Sequence, residues 1–370
     1  MPDLRPAARL PLLGLGMLSL LGGVLSGLAR LAWDVPAVAA AAAGGHGALM
    51  ISAFLGTVIS LERAVALGRA WAYLAPAAAG ISGLAALAEA PLILTQILSI
   101  VAAATLTAAS GQVLRRLVAP FTLILGIAAL CWLIGNLAWL AGGALAAAVP
   151  WWLAFLVLTI AGERLELTRF LPTPVAAQRL FFVIVGGIVS GAALGFWLED
   201  AGLTLFAAGL LALAVWLLFY DIARRNAGTQ GLTRFIAISL LSGYLWLALA
   251  GLLGLAGGFL PGHPWRDATL HALALGFVFS MIFGHAPIIF PALMRVQIPY
   301  HPALYVPLLV LHASLALRVV GSVAGDFALR RAGGLANGVA LLLFIAVLVA
   351  SVVRGKRKQA RPASSLRPDR

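Results

Sequence analysis

Three histidines lie inside long apolar stretches of this chain, where an imidazole is rare and usually functional. His46 stands among glycines, His271 opens the run His-Ala-Leu-Ala-Leu-Gly-Phe, and His312 lies midway along another apolar stretch. A neutral imidazole has a lone pair for transition metals, and two imidazoles on different helices can hold one iron from opposite sides. The expected chemistry is metal or haem binding by His46 and His271, with His312 as a substitute ligand.

A repeated pattern places the first two histidines at a similar depth. His46 lies eight residues before Phe54, and His271 lies six before Phe277, so their depths differ by about 3 Å at 1.5 Å per helical residue. The same offset turns one imidazole by about 200° relative to the other on ideal α-helices. To share a metal, their helices must be rotated differently, or His312 must be the partner. The aligned segments are Phe54-Leu-Gly-Thr-Val-Ile-Ser-Leu-Glu62, Phe155-Leu-Val-Leu-Thr-Ile-Ala-Gly-Glu163 and Phe277-Val-Phe-Ser-Met-Ile-Phe-Gly-His285.

The aligned segments close on Glu62, Glu163 and His285, which are expected at one level near the inner membrane surface. Two carboxylates and an imidazole can hold a non-haem metal or relay protons. Each glutamate is followed directly by an arginine, so the simpler interpretation is that each forms an ion pair with its neighbour at the membrane boundary. His285 lies about 21 Å along a helix from His271, too far to share its metal.

Arg266 and Arg30 fall near the outer ends of helices, on the same side as His271. A guanidinium group grips carboxylates in a bidentate manner, so both arginines are candidates to hold haem propionates. The alternative for the histidines is structural, because a hydrogen bond between membrane helices contributes about 1 kcal/mol.

These residues must be positioned by membrane helices. Hydrophobic residues form 62% of the 370 residues and charged ones 10%, and apolar runs of membrane-spanning length recur throughout. We expect an all-α polytopic membrane protein of about twelve transmembrane helices, arranged as three four-helix repeats. The predicted helices lie near residues 10–30, 36–60, 71–89, 92–112, 118–142, 146–162, 176–198, 202–220, 233–257, 267–291, 302–323 and 332–353.

The distribution of positive charge predicts the orientation. Most arginines and lysines fall in alternate loops on one side, as the positive-inside rule requires of cytoplasmic loops. Residues 1–354 are expected to form a single transmembrane domain with repeat units near 8–115, 116–225 and 230–354, followed by a basic cytoplasmic tail over 355–370. Both termini are then cytoplasmic and the location is a bacterial inner membrane. The net charge of +13 reflects contact with the lipid bilayer and not with nucleic acid.

Two segments resemble a known family. The run Arg266-Asp-Ala-Thr-Leu-His-Ala-Leu-Ala-Leu-Gly-Phe-Val-Phe-Ser-Met-Ile282 resembles the second conserved segment of NnrS-type haem- and copper-containing membrane proteins. The run His46-Gly-Ala-Leu-Met-Ile-Ser-Ala-Phe-Leu is similar to their first histidine segment, where that family usually has a second histidine in place of Gly47. The resemblance implies haem, with copper or another metal as a further possibility, and a nitric-oxide response.

The architecture also resembles the catalytic subunit of haem–copper oxidases. That family has twelve helices in three arcs, and histidines of its helices two and ten hold a low-spin haem. Its copper-site histidines lie on helices six and seven, and the corresponding stretches of this chain contain none. The resemblance therefore implies the haem-holding scaffold without an oxygen-reducing centre.

The sequence thus predicts an integral membrane protein with b-type haem between two histidines. Its role would be electron transfer, gas sensing or response to nitric oxide, and neither catalytic turnover nor a redox partner is specified. The alternative is a transporter or channel for a small solute or metal ion, with the same intramembrane histidines along its path.

Overall fold

Twelve long apolar helices dominate the described part of the chain, residues 3–142, 144–169 and 173–360 of the computed structural model. Those ranges contain no β-strand, and each of these twelve helices is long enough to cross a bilayer. The predicted all-α polytopic fold is confirmed. The helices are α1 Pro6–Ala29, α2 Ala48–Leu67, α3 Ala70–Leu87, α4 Leu92–Arg116, α5 Pro120–Gly142, α6 Leu145–Thr168, α7 Val175–Leu194, α8 Glu199–Tyr220, α9 Gly231–Gly258, α10 Arg266–Met294, α11 Pro302–Val323 and α12 Phe327–Gly355.

Two helices extend past the ends predicted from hydropathy. Helix α2 continues to Leu67 instead of residue 60, and α6 continues to Thr168 instead of residue 162. Both predictions stopped where charged residues begin, but these charges find partners at the end of the bundle and the helical backbone continues. Helix α2 ends at Gly68, which has a φ of 64°, a left-handed conformation that glycine adopts without steric cost.

The final helix also extends further than predicted. Its backbone stays helical to Ala360, so the first part of the predicted tail over 355–370 continues α12. Residues 361–370 lie outside the described ranges.

Consecutive helices pack against each other along most of the chain, including the α4–α5 and α8–α9 pairs that join the predicted units. Helix α1 packs against α2 and α3 and also contacts α10 and α12, so it joins the two ends of the chain. The three four-helix repeats remain a prediction. The contacts of α1 matter because they bring the segment around His46 close to α10.

A buried polar network ties four helices together in the core. The side-chain oxygen of Asn136 accepts hydrogen bonds from Ser52 at 3.2 Å and from the indole of Trp152 at 3.1 Å. Its amide nitrogen donates to the carbonyl oxygen of Ser99, and Trp132 donates to the Ser52 hydroxyl. Because every member has a partner, the network stabilises one arrangement of α2, α4, α5 and α6.

Candidate functional site

The imidazole rings of His46 and His271 meet inside the bundle. Their ring centres are 6.2 Å apart, and the ring planes are inclined by 23°. His46 lies just before α2, at the end of a short helical segment, and His271 lies in the first turns of α10. The structure therefore brings together the two histidines that the sequence placed at the same depth.

Backbone carbonyl groups fix the orientation of both rings. The Nδ1 atom of His46 donates to the carbonyl oxygen of Gly23 at 2.7 Å, and Nδ1 of His271 donates to that of Asp267 at 2.8 Å. A nitrogen that bonds to a carbonyl oxygen must carry the proton, so each Nε2 atom keeps its lone pair. Neither Nε2 has a hydrogen-bond partner among the described residues. In metal-binding histidines, the ring nitrogen that does not bind the metal usually donates its hydrogen bond to a carbonyl or carboxylate oxygen in the same way.

The distance between the rings suits one shared metal ion. A metal–nitrogen bond of about 2.0 Å and about 1.1 Å from nitrogen to ring centre give about 6 Å between two imidazoles on opposite sides of an ion. The observed 6.2 Å agrees with this value. Ordinary contacts between aromatic rings span the same range, about 4.5–7 Å between ring centres, so the free Nε2 atoms and not the distance distinguish a ligand pair.

Two π-helical segments lie next to the histidines, in the part of each helix that the repeated pattern covers. The segment Ala48–Leu55 begins two residues after His46. The segment Ala272–Phe279 begins immediately after His271. A π-helix bonds i to i+5 and has a wider turn, so the rotation of about 100° per residue of an α-helix does not apply. The calculation that separated the rings by 200° assumed ideal α-helices. Such segments are uncommon and frequently lie at functional sites.

A glycine pair on α1 makes room for the His46 ring. A Cβ atom at Gly27 would lie 2.7 Å from Cε1 and 2.9 Å from Nδ1 of His46. Gly23, one turn earlier, supplies the carbonyl that binds the same ring. The two form a Gly-xxx-Gly pattern, which lets membrane helices approach closely. The pattern is visible in the sequence, but only the packing of α1 connects it with His46.

The two histidines line a partly open cavity of about 140 Å³. Its walls come from α1, α2, α6, α10, α11 and α12, and they are mostly aliphatic. Glycines from several of these segments leave gaps between the larger side chains of the wall. Lining residues besides the histidines include Gly27, Gly47, Leu153, Ala274, Phe279 and Gly338.

Arg318 of α11 also lines this cavity and pairs with Asp267, one turn before His271. Its Nε and Nη2 atoms donate to the two carboxylate oxygens of Asp267 at 2.9 and 2.7 Å. The carboxylate in turn lies 3.4 Å from Nδ1 of His271. Arg318 therefore supports the ring through Asp267. A lone arginine in the middle of an apolar helix was the sequence signal for it, since such charges are costly unless they serve a site.

Of the two arginines predicted for the site, Arg266 lies elsewhere, whereas Arg30 lies close enough to His46 for its charge to act on the ring. Arg266 donates to the carbonyl oxygen of Phe259 and lines a separate cavity that contains Glu199. Arg30 is exposed and reaches the carbonyl oxygen of Ala43 at 3.5 Å. Neither is among the described residues around the histidine cavity. Residue type and spacing do not specify the direction in which these side chains extend.

His312 is engaged elsewhere by both ring nitrogens. Its Nδ1 atom accepts a hydrogen bond from the indole of Trp246, and its Nε2 atom bonds to the hydroxyl of Ser242, each at 2.9 Å. Both partners belong to α9. His312 therefore connects α11 to α9, and the structure pairs His46 with His271 instead.

The ends of the three aligned segments do gather at the opposite end of the bundle. Arg63 pairs with Glu163 across helices and lies 4.0 Å from Glu62. The charge of Glu163 acts on the His285 ring. The Nδ1 atom of His285 donates to the carbonyl oxygen of Met281 at 2.7 Å.

The pairing of neighbours predicted there is wrong for Glu163 and Arg164. Arg164 points away from Glu163 and instead lies 3.6 Å from Asp221 at the end of α8. Residues adjacent in a helix point about 100° apart, so charges on different helices are often better placed to pair.

The described residues contain no group of three or more His, Cys, Asp or Glu side chains placed to hold a metal ion. Glu62, Glu163 and His285 thus lack the geometry of a three-ligand site. At the histidine pair, the chain offers two nitrogen ligands in apolar surroundings. A group that supplies its remaining metal ligands itself, as a porphyrin does, suits this donor set better than a bare ion does. The cavity of about 140 Å³ is close in size to one that holds a single benzene ring, so a porphyrin would enter only if the surrounding helices moved apart.

Comparison with known proteins places the chain in a family without assigning its chemistry. A search of curated proteins gave no match. A family model described as a domain of unknown function, DUF8744, matches residues 9–353 and therefore covers nearly the whole chain. The chain belongs to the DUF8744 family.

Proposed function

We propose that this protein is a b-type haem protein of a membrane, with His46 and His271 as the two axial ligands. The observation that carries the proposal is the facing pair of imidazoles, 6.2 Å apart at their centres, each with Nδ1 held by a carbonyl group. The resemblance of both histidine segments to NnrS-type proteins points to the same cofactor.

The chain's own residues would perform three tasks at such a site. The carbonyl groups of Gly23 and Asp267 hold the rings in the tautomer that presents Nε2. The aliphatic walls of the cavity keep water away and lower the local dielectric constant, which influences the reduction potential. The Asp267–Arg318 pair supports His271 and adds fixed charges nearby.

Among the three proposed roles, the geometry favours electron transfer. Bound haem would supply one-electron chemistry, and both axial positions would be filled by imidazoles that the backbone already holds in place. Gas sensing or a response to nitric oxide would require one histidine to move away. The His46 ring packs directly against Gly27 of α1, which blocks its movement in that direction.

The proposed setting is a bacterial inner membrane. The twelve apolar helices require a lipid bilayer. The predicted excess of arginine and lysine in alternate loops puts both termini in the cytoplasm. The histidine pair then lies in the outer half of the membrane, and the cluster around Arg63 and Glu163 near the cytoplasmic face.

Pyridine haemochrome and metal analyses of the purified protein test the proposal. We expect haem b at about one equivalent per chain. Copper without haem would favour a bare-metal site, in which the thioether of Met50, another cavity-lining residue, is the natural third ligand. Protein that stays free of both haem and metal after supplementation would overturn the proposal.

The alternative function, a transporter or channel, makes a different prediction for the same residues. Under that hypothesis His46→Ala and His271→Ala change solute or metal-ion flux into proteoliposomes while the protein remains colourless. Under the haem hypothesis they remove absorbance.

A further inference from the structure

A second buried site lies at the end of the bundle opposite the histidine pair. Arg164 of α6, Asp221 at the end of α8 and Tyr244 of α9 come together there with side chains that are almost completely enclosed, with residue exposures of 3%, 4% and 0%. None of them contributes to the proposed haem site, from which His285 of the same region is separated by about 20 Å of α10.

The polar atoms of this cluster are incompletely bonded. Arg164 Nε, Asp221 Oδ2 and the Tyr244 hydroxyl are all buried without a hydrogen-bond partner among the described residues. Arg164 Nε and Asp221 Oδ2 are 3.6 Å apart, beyond the usual length of a hydrogen bond. The other carboxylate oxygen, Oδ1, accepts from the backbone N–H of Ala223 at 2.7 Å. Tyr244 interacts with both charged groups.

Such an arrangement calls for water. A buried water is stable where two to four polar groups converge, and polar groups just too far apart for a direct bond are commonly bridged by one. Three unpartnered atoms from three helices meet that requirement. A carboxylate, a hydroxyl and a water in contact also form a chain along which a proton can move.

The charged and titratable groups around Asp221 come from each neighbouring helix: Arg164 from α6, Tyr244 from α9 and His285 from α10. Burial is the dominant influence and raises the pKa of the Asp221 carboxyl above its usual range, with Arg164 opposing it. Asp221 also lies at the end of α8, two residues before the short Ala223–Asn226 helix, in which Arg224 and Arg225 are exposed.

We infer that Arg164, Asp221 and Tyr244 form a hydrated proton-binding site in which the Asp221 carboxyl takes up the proton. The ligands are water and a proton, and the site stands independently of the proposed haem. On protonation, the Asp221 carboxylate becomes a neutral acid and Arg164 keeps its charge. Tyr244 donates its hydroxyl hydrogen bond to the carboxyl or to the bridging water.

Infrared titration of the full-length protein in detergent tests this inference. We expect a protonated-carboxyl band that persists to higher pH than surface carboxyls, shifts in D₂O and disappears in Asp221→Asn. The matched control is Asp200→Asn at the exposed start of the same helix, which keeps the band. Tyr244→Phe removes a hydrogen bond from the group and shifts the band in frequency.

Three results would overturn the inference: identical carboxyl bands in wild type and Asp221→Asn, a band that neither titrates nor exchanges with D₂O, or a band unmoved in Tyr244→Phe. If Asp221→Asn does not fold, the wild-type titration and Tyr244→Phe still decide the question. The infrared measurement detects the Asp221 carboxyl itself and does not depend on bound haem. A negative result therefore does not affect the haem proposal, and a protein without haem can still contain this site.

Discussion

Gly27 of α1 lies directly against the His46 ring, leaving no space for even a methyl group between them. A Cβ atom there would be 2.7 Å from the ring, and side-chain atoms at that distance must move. We therefore expect Gly27→Ala to displace the imidazole from the Gly23 carbonyl and to weaken haem binding about 10–100-fold, the usual effect of disturbing a ligand's support. Haem titration of the apoprotein measures this change.

Gly14→Ala is the matched control, because it lies on the same helix and a Cβ atom there would meet nothing within 4 Å. Its haem affinity should equal that of the wild type. Equal affinity in Gly27→Ala and Gly14→Ala would show that the His46 ring is not held as described.

The two proposed ligands and the third intramembrane histidine should behave differently. His46→Ala and His271→Ala each remove one of two axial nitrogens, so each should abolish the low-spin haem spectrum. His312→Ala should retain it, because both of its ring nitrogens are bonded to α9 residues. The measurement is visible absorbance per mole of purified protein. Loss of the spectrum in His312→Ala alone would transfer the ligand role to that residue.

The ion pair beside the site should stabilise the fold and tune the ligand. Arg318→Met leaves the Asp267 carboxylate without its bidentate partner, and breaking a buried pair costs about 3–5 kcal/mol. The double variant Asp267→Asn/Arg318→Met removes both charges and should recover much of that loss. Unfolding in detergent measures the stability, and a redox titration measures the potential. Additive losses in the double variant would contradict a direct interaction.

The raised pKa of Asp221 predicts a pH-dependent stability. A carboxyl whose folded-state pKa lies above its unfolded value, about 3.9, stabilises the fold fully below that value and loses the contribution as pH rises through the folded-state pKa. The melting temperature of the wild type should thus fall with rising pH relative to Asp221→Asn. The opposite trend would mean that Arg164 outweighs burial at this position.

Hydropathy alone sufficed for the main features of the fold, because twenty apolar residues in a row have few alternatives to a membrane helix. Helix ends were less predictable. The Glu62 and Glu163 regions looked like boundaries, but Arg63 and Glu163 pair across two helices, and no local pattern reveals that pairing.

The position of the two histidines along their helices could be predicted from the sequence, but the direction in which each ring points could not. His46 and His271 were paired because residue spacing measures depth along a helix well. Their rotation depends on how each helix is turned within the bundle, and the π-helical segments beside both histidines carry no clear sequence pattern. The support of the site by Gly27 and Arg318 depends on which helices are neighbours, and this is a property of the whole bundle.

The reduced-minus-oxidised visible spectrum of the intact protein tests the central claim most directly. Two imidazoles on one haem iron predict a sharp low-spin α-band on reduction, with an intensity equal to one haem per chain. A folded preparation that shows no such band, even when expressed with added haem, would contradict the account.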